Sequence, residues 1–232
     1  MFVEGTLRWQ VTEDCPWDLL MALALRDLAG LGDRVRPGLP ALEPAVAPAW
    51  HSRHPEPADG RTRMRPAPLA GPTGGRRRRA EAGSGGTGPD DALADQWQAW
   101  FEVASDRHRR LTAPLLHPPH FEAFDRAIDL QDAIIAHYDA AAGWAAARHA
   151  EYVAASTASH ARRAADIVEV VHDREHELRR QAGYFRLDID VLPLAEKGTW
   201  IVGPHTVVIS ATLRDDSVAF RDWLRPLVSA LV

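Results

Sequence analysis

The segment WDLLMALALRDL, residues 17–28, presents leucine, methionine or alanine on nearly every side and carries charge only at Asp18, Arg26 and Asp27. Asp14 offers an N-cap and Pro16 suits a first turn, so the spacing predicts a helix over this segment. A helix without a polar face cannot rest on a surface; it has to be enclosed between layers of its own fold or against a partner. A bilayer crossing needs about 20 apolar residues, and this segment is too short and too charged to be one. Residues 1–4 lack a basic start followed by an apolar core, and the lone Cys15 leaves no internal disulfide framework. The expectation is a cytoplasmic protein with no membrane association.

The layers around that helix must come from elsewhere in the chain. Ahead of it, FVEGTLRWQVT alternates well enough for a strand. Residues 33–90 turn to proline, glycine and arginine with no hydrophobic period. That composition predicts a largely disordered linker, with room for a short ordered piece around Trp50. Residues 91–183 read as helical: Leu93, Trp97, Trp100 and Phe101 recur at spacings of three and four, and Phe121, Phe124, Ile128, Ile135 and Tyr138 share a face. Gly143 marks a break before an alanine-rich run, which predicts a long antiparallel helical hairpin.

The end of the chain is mixed. FRLDIDVLPL sets Phe185, Leu187, Ile189 and Val191 against Arg186, Asp188 and Asp190, the alternation of a half-buried strand. TWIVGPHTVVIS predicts another strand, split at Gly203 and Pro204. Phe220, Trp223, Leu224, Leu227, Val228 and Leu231 then predict a last helix that Pro226 should kink or divide. The expected fold class is α+β, predominantly helical. Residues 1–32 and 184–232 would form one unit around a small antiparallel or mixed sheet, with the helical hairpin as an insertion.

One stretch, VEVVHDREHELRRQ, has a pattern with chemical meaning. His172, Glu175 and His176 spell H-x-x-E-H, which over five residues resembles the inverted zinc-protease motif. Imidazoles four apart lie on one helix face and can share a zinc or iron ion, with Glu175 as general base on a bound water. That motif needs a further acidic ligand downstream, where only Glu196 and a few aspartates follow. Glu175 can instead pair with Arg179 one turn on, in a stretch already charged by Asp173 and Glu177. Glu169 and His172 form a Glu-x-x-His unit without the second copy that di-iron bundles use, although His149 and His160 could add ligands. No cofactor is expected, zinc or iron being the candidates if the motif binds. Cys15 falls at a helix start, where the dipole would lower its pKa, but no histidine partner can be identified for it.

Only one of the 27 basic residues is lysine, so arginine clusters are unsurprising in this chain. Arg61, Arg63, Arg65 and Arg76, Arg77, Arg78 and Arg79 nevertheless form a run of positive charge with no acid between them. Such a run can bind nucleic acid or another polyanion through phosphate contacts, but no aromatic residue is interleaved to stack bases.

The tail from RLDIDVLPL onward resembles the ends of small proteins from high-GC bacteria, over about the last fifth of the chain. The resemblance implies a recurrent strand–strand–helix module and carries no activity, ligand or site residue. Three functions follow as expectations. The first is a non-enzymatic interaction or structural-accessory protein, which packs a face holding Ile167, Val168, Val171 and Leu178, or its first helix, against a protein partner or a second copy. The second is a metal-dependent hydrolase using His172, Glu175 and His176. The third is polyanion or nucleic-acid binding through Arg76 to Arg79.

Overall fold

The computed structural model describes residues 2–6, 8–48, 89–112 and 116–232. Strands β1 (Phe2–Thr6) and β2 (Trp9–Asp14) lead into helix α1 (Trp17–Leu28). Helices α2 (Pro89–Ser105), α3 (Ile128–Ala158) and α4 (His160–Leu178) follow, with short 3-10 turns at Arg109–Thr112 and Glu122–Phe124. Strands β3 (Phe185–Leu192), β4 (Thr199–Ile201) and β5 (Thr206–Ser210) precede α5 (Ala211–Asp215) and α6 (Ser217–Leu231). The fold is α+β and predominantly helical, as the periodicities predict.

The strands form one mixed sheet in the order β1-β2-β3-β5-β4. Its three central strands, β2, β3 and β5, are parallel, and β1 and β4 close the edges antiparallel. Thr12, Asp188 and Thr206 lie in one row across the sheet, and Asp14, Asp190 and Val208 in the next row of the same parity. Alternate residues of a strand point to opposite faces. Trp9, Val11, Phe185, Leu187, Ile189, Val191, Val207 and Ile209 join Ile167, Val170 and Val171 of α4 and Phe220, Leu224 and Val228 of α6 in one core. Leu192 and Val208 join α1, α2 and α3 in the other.

β3 is therefore covered on both faces. The alternation of FRLDIDVL predicts acids turned to solvent, yet Asp188 and Asp190 are 3% and 2% exposed. The half-buried reading fails because α1 and the elements around it supply a second layer that the strand's own pattern does not announce.

The enclosure demanded by α1 comes from inside the chain. Its residues 19–25 are all buried. The Trp97 indole of α2 donates to the Ala22 carbonyl at 2.7 Å, and Trp97 stacks on Phe101. The return segment after α1 adds Val35, Leu39 and Leu42 to this core. Arg26, 1% exposed, pins that segment by donating to the carbonyls of Leu39 and Pro40, while Asp27 accepts from the Leu42 amide. Residues 33–48, expected to open the linker, instead form a strap packed on this core. Trp50 and the arginines from Arg61 to Arg79 lie outside the described residues.

The helical region also divides differently from its prediction. Gly143 sits within α3, and the break falls at Ser159 in the ASTAS stretch. α3 packs on α1 and α2, whereas α4 packs on α6 across the sheet, so the two helices serve opposite faces and do not pair as a hairpin. Ser210 and Asp216 cap α5 and α6 through the amides of Leu213 and Ala219, and Pro226 lies inside α6 without dividing it. Among the described residues no helix is long and apolar enough to cross a membrane.

Candidate functional site

The H-x-x-E-H stretch lies in the last turns of α4. His172 and His176 are exposed, and Glu175 Oε2 stands 4.0 Å from His172 Nε2. The other Glu175 oxygen accepts the Ala182 amide at 2.8 Å. Arg179 adopts the left-handed conformation, with φ of 51°, and the Arg180 amide reaches back to the Glu175 carbonyl. This is a Schellman ending, and the Glu175 side chain extends it by capping the chain that leaves the helix. The Glu175 carboxylate therefore has a backbone partner. His160 is exposed, and His149 Nδ1 bonds the Cys15 carbonyl at 2.9 Å, away from the motif. Among the described residues no three His, Cys, Asp or Glu side chains come together to hold a metal ion.

The face expected to dock a partner is spent inside the molecule. Ile167 and Val171 are fully buried against β2, β3 and α6, and Val168 packs beside them. Leu178 is half-buried.

A different site lies where β2, β3 and β5 end. Their carboxyl ends meet at a crevice of about 200 Å³ lined by Cys15, Val191, Pro193 and Ala211, with Arg148, Glu151 and Tyr152 of α3, Arg163 of α4 and Asp215 of α5 above. The chain leaves β2 toward α1 on one face of the sheet and leaves β5 toward α6 on the other. In open parallel sheets that divergence is where ligands bind, because the strand ends splay apart there.

Beneath the crevice runs a buried charge network. Glu13 accepts Arg163 Nη1 at 2.7 Å through one oxygen and Arg214 Nε at 2.6 Å through the other. Arg214 continues to Asp166 at 3.2 Å and stacks over the Phe220 ring. Arg163 Nη2 reaches the surface residue Asp215 at 2.9 Å, and Arg221 closes on Asp166 at 3.3 Å. Each buried carboxylate, Glu13 and Asp166, thereby meets two guanidiniums, as burial of charge requires.

Two donors at the crevice remain unspent. Arg163 Nε and Arg148 Nε are out of solvent and without a hydrogen-bond partner. The Tyr152 hydroxyl, near Ser156, lacks an aligned bond as well. Burial pushes the Tyr152 phenol up, with the Glu13 charge adding to it, so it stays a neutral donor. Burial likewise pushes the Cys15 thiol well above its ordinary value, and Asp14 and Asp190 reinforce this. The helix-start argument for an activated thiol gives way to desolvation, since the residue is only 1% exposed.

The chain matches no protein-family model, no curated protein and no solved structure.

On the α1 side of the sheet, Asp190 binds Arg110 Nη2 at 3.0 Å, and Arg110 Nε donates to the Ala104 carbonyl. Burial raises Asp190 to about 7 against the pull of that guanidinium. Desolvation of a nearly enclosed carboxylate outweighs one neighbouring charge here. Sequence reasoning missed Arg148, Tyr152, Arg163 and Asp190. Their signals, an acid on the polar side of a strand and arginines and a tyrosine on an alanine-rich helical run, are too common to single out without the fold.

Proposed function

We propose that this chain is a binding domain for a small oxyanion, a carboxylate or phosphate group, seated in the crevice at the carboxyl edge of β2, β3 and β5. The observation that carries it is the pair of buried, unpartnered guanidinium nitrogens, Arg148 Nε and Arg163 Nε, in that crevice. A guanidinium can only donate, and a buried donor without an acceptor is costly, so an acceptor-rich ligand is the complement. Glu13 and Asp215 hold Arg163 by its other two nitrogens and so fix where its third donor lies. Tyr152 would add a neutral hydroxyl.

Isothermal titration of the full chain with inorganic phosphate and with acetate tests this. Saturable binding of either is expected, weakened about tenfold or more in Arg148→Gln, because a charged hydrogen bond is worth about 1.5–3 kcal/mol. Absence of binding by both anions, or equal binding by the variant, would sink the reading.

A second reading keeps the interaction function but moves it to α3. Ile128, Ile135 and Val153 are 63%, 53% and 47% exposed, and at 3.6 residues per turn they fall within about 20° of one another. Two α3 helices paired antiparallel would set Ile128 against Val153 and Ile135 against the small, exposed Ala146, a self-complementary stripe suited to a two-fold dimer. Light scattering on the full chain should give a dimer that Ile135→Asp returns to monomer; a wild-type monomer at high concentration contradicts it.

A further inference from the structure

At the amino end of the parallel strands, remote from the crevice residues, a second polar group is buried. Arg186 at the start of β3 pairs with Asp188 through Nη2 and Oδ2 at 2.8 Å. Only half of this pair is made. Arg186 Nε and Asp188 Oδ1 have no hydrogen-bond partner, although both atoms are shut off from solvent. Thr12 Oγ1, in register with Asp188 one strand away, is unpartnered too. Native interiors leave few such groups, because a buried donor or acceptor without a partner is costly unless something fills it. Arg186 and Asp188 line a pocket of about 290 Å³ together with His108, His205 and Thr206. His108 Nε2 accepts from Arg186 Nη1 and so steadies the guanidinium from its far side.

We infer that this pocket binds a small amide, whose N–H is donated to Asp188 Oδ1 and whose carbonyl accepts from Arg186 Nε. A carboxylate only accepts and a guanidinium only donates. A free acceptor beside a free donor is matched by a group that carries an N–H and a C=O next to each other: a carboxamide, a lactam or the edge of a nucleobase. A simple anion would face the Asp188 charge and a simple cation the Arg186 charge. The site shares no side chain with the oxyanion crevice and stands or falls separately from it.

Saturation-transfer NMR on the full chain, with 2-pyrrolidinone and nicotinamide as probes, tests the assignment. N,N-dimethylacetamide, which lacks the N–H, and acetate, which lacks it and is charged, are the controls. Both lactam and carboxamide should bind at millimolar concentration, and both controls at least about tenfold more weakly, the worth of one lost hydrogen bond at about 1.4 kcal/mol. Asp188→Asn keeps the shape and puts a donor where the acceptor was, so it should lose the amides by the same factor. Arg186→Lys, which keeps the charge and removes Nε, gives the same answer if the first variant does not fold. Controls that bind as well as the amides, or a folded wild type that binds no probe, would overturn the site.

Discussion

Arg214 Nε donates to Glu13 Oε2 at 2.6 Å, and neither side chain has any exposure to solvent. The two residues are 201 positions apart, so this bond ties the N-terminal strand to the C-terminal helices. It also sets the floor of the crevice, because the other Glu13 oxygen orients Arg163. Replacing Glu13 by glutamine leaves two buried guanidiniums facing a neutral group. Breaking a buried pair in this way costs about 3–5 kcal/mol. Urea unfolding of Glu13→Gln should therefore show a loss of that order, and a loss under about 1 kcal/mol would mean that the network is not what joins the ends of the chain.

Asp190 sets a pH dependence. Its folded-state pKa is raised to about 7, above its ordinary value, because burial disfavours the charge. A carboxyl whose pKa is raised by folding binds its proton more tightly in the native state. Its contribution to stability is full below the ordinary aspartate range and is lost as pH rises through about 7. Between roughly pH 4 and 7 it should add a falling slope of up to about 1.4 kcal/mol per pH unit. Chemical denaturation across that window should show a flatter profile in Asp190→Asn than in the wild type. Identical slopes would show that Asp190 ionises normally.

The H-x-x-E-H stretch is open to a direct comparison. Glu175 accepts the Ala182 amide, whereas His172 and His176 are exposed. Glu175→Ala should lower stability by about 1 kcal/mol, the usual worth of one hydrogen bond. His172→Ala with His176→Ala should stay within about 0.5 kcal/mol. Thermal unfolding in the presence of added zinc reads both effects. A large zinc-dependent stabilisation that the double variant abolishes would restore the metal reading.

The strap after α1 makes a fourth stability test. Leu42 belongs to it, is buried in the core, and forms an antiparallel backbone bridge with Leu194. Leu42→Ala should cost about 2–4 kcal/mol, as buried leucine truncations do. A surface linker would lose almost nothing, so limited change on denaturation would remove the strap from the core.

Elements were legible where a local pattern sufficed. The all-round apolarity of residues 17–28 marked α1 as enclosed, and the spacings in residues 91–105 and 217–231 marked α2 and α6. Leu39 and Leu42 were not legible as core, because isolated leucines among prolines have no period. Their order depends on Arg26 reaching backbone carbonyls 13 and 14 residues away. Gly143 looked like a break and was not one; it lies inside α3, between Ala141 and Ala145, which are buried in the core with α1. Ser159 ended α3 instead, with its hydroxyl and amide both turned back to the Ala155 carbonyl.

By itself the sequence determined the class of fold, the identity of the enclosed helix and which side of β3 is apolar, since these follow from residue spacing alone. Only the tertiary structure decided what the polar residues do. Whether Asp188 and Asp190 meet water or a second layer, whether Glu175 caps a turn or serves an ion, and whether Glu13 meets Arg163 and Arg214 all depend on contacts between distant segments. A charge carries no period that reports its partner. Its environment is set by what folds over it, and here that is α1 and α2 on one face of the sheet and α4 to α6 on the other.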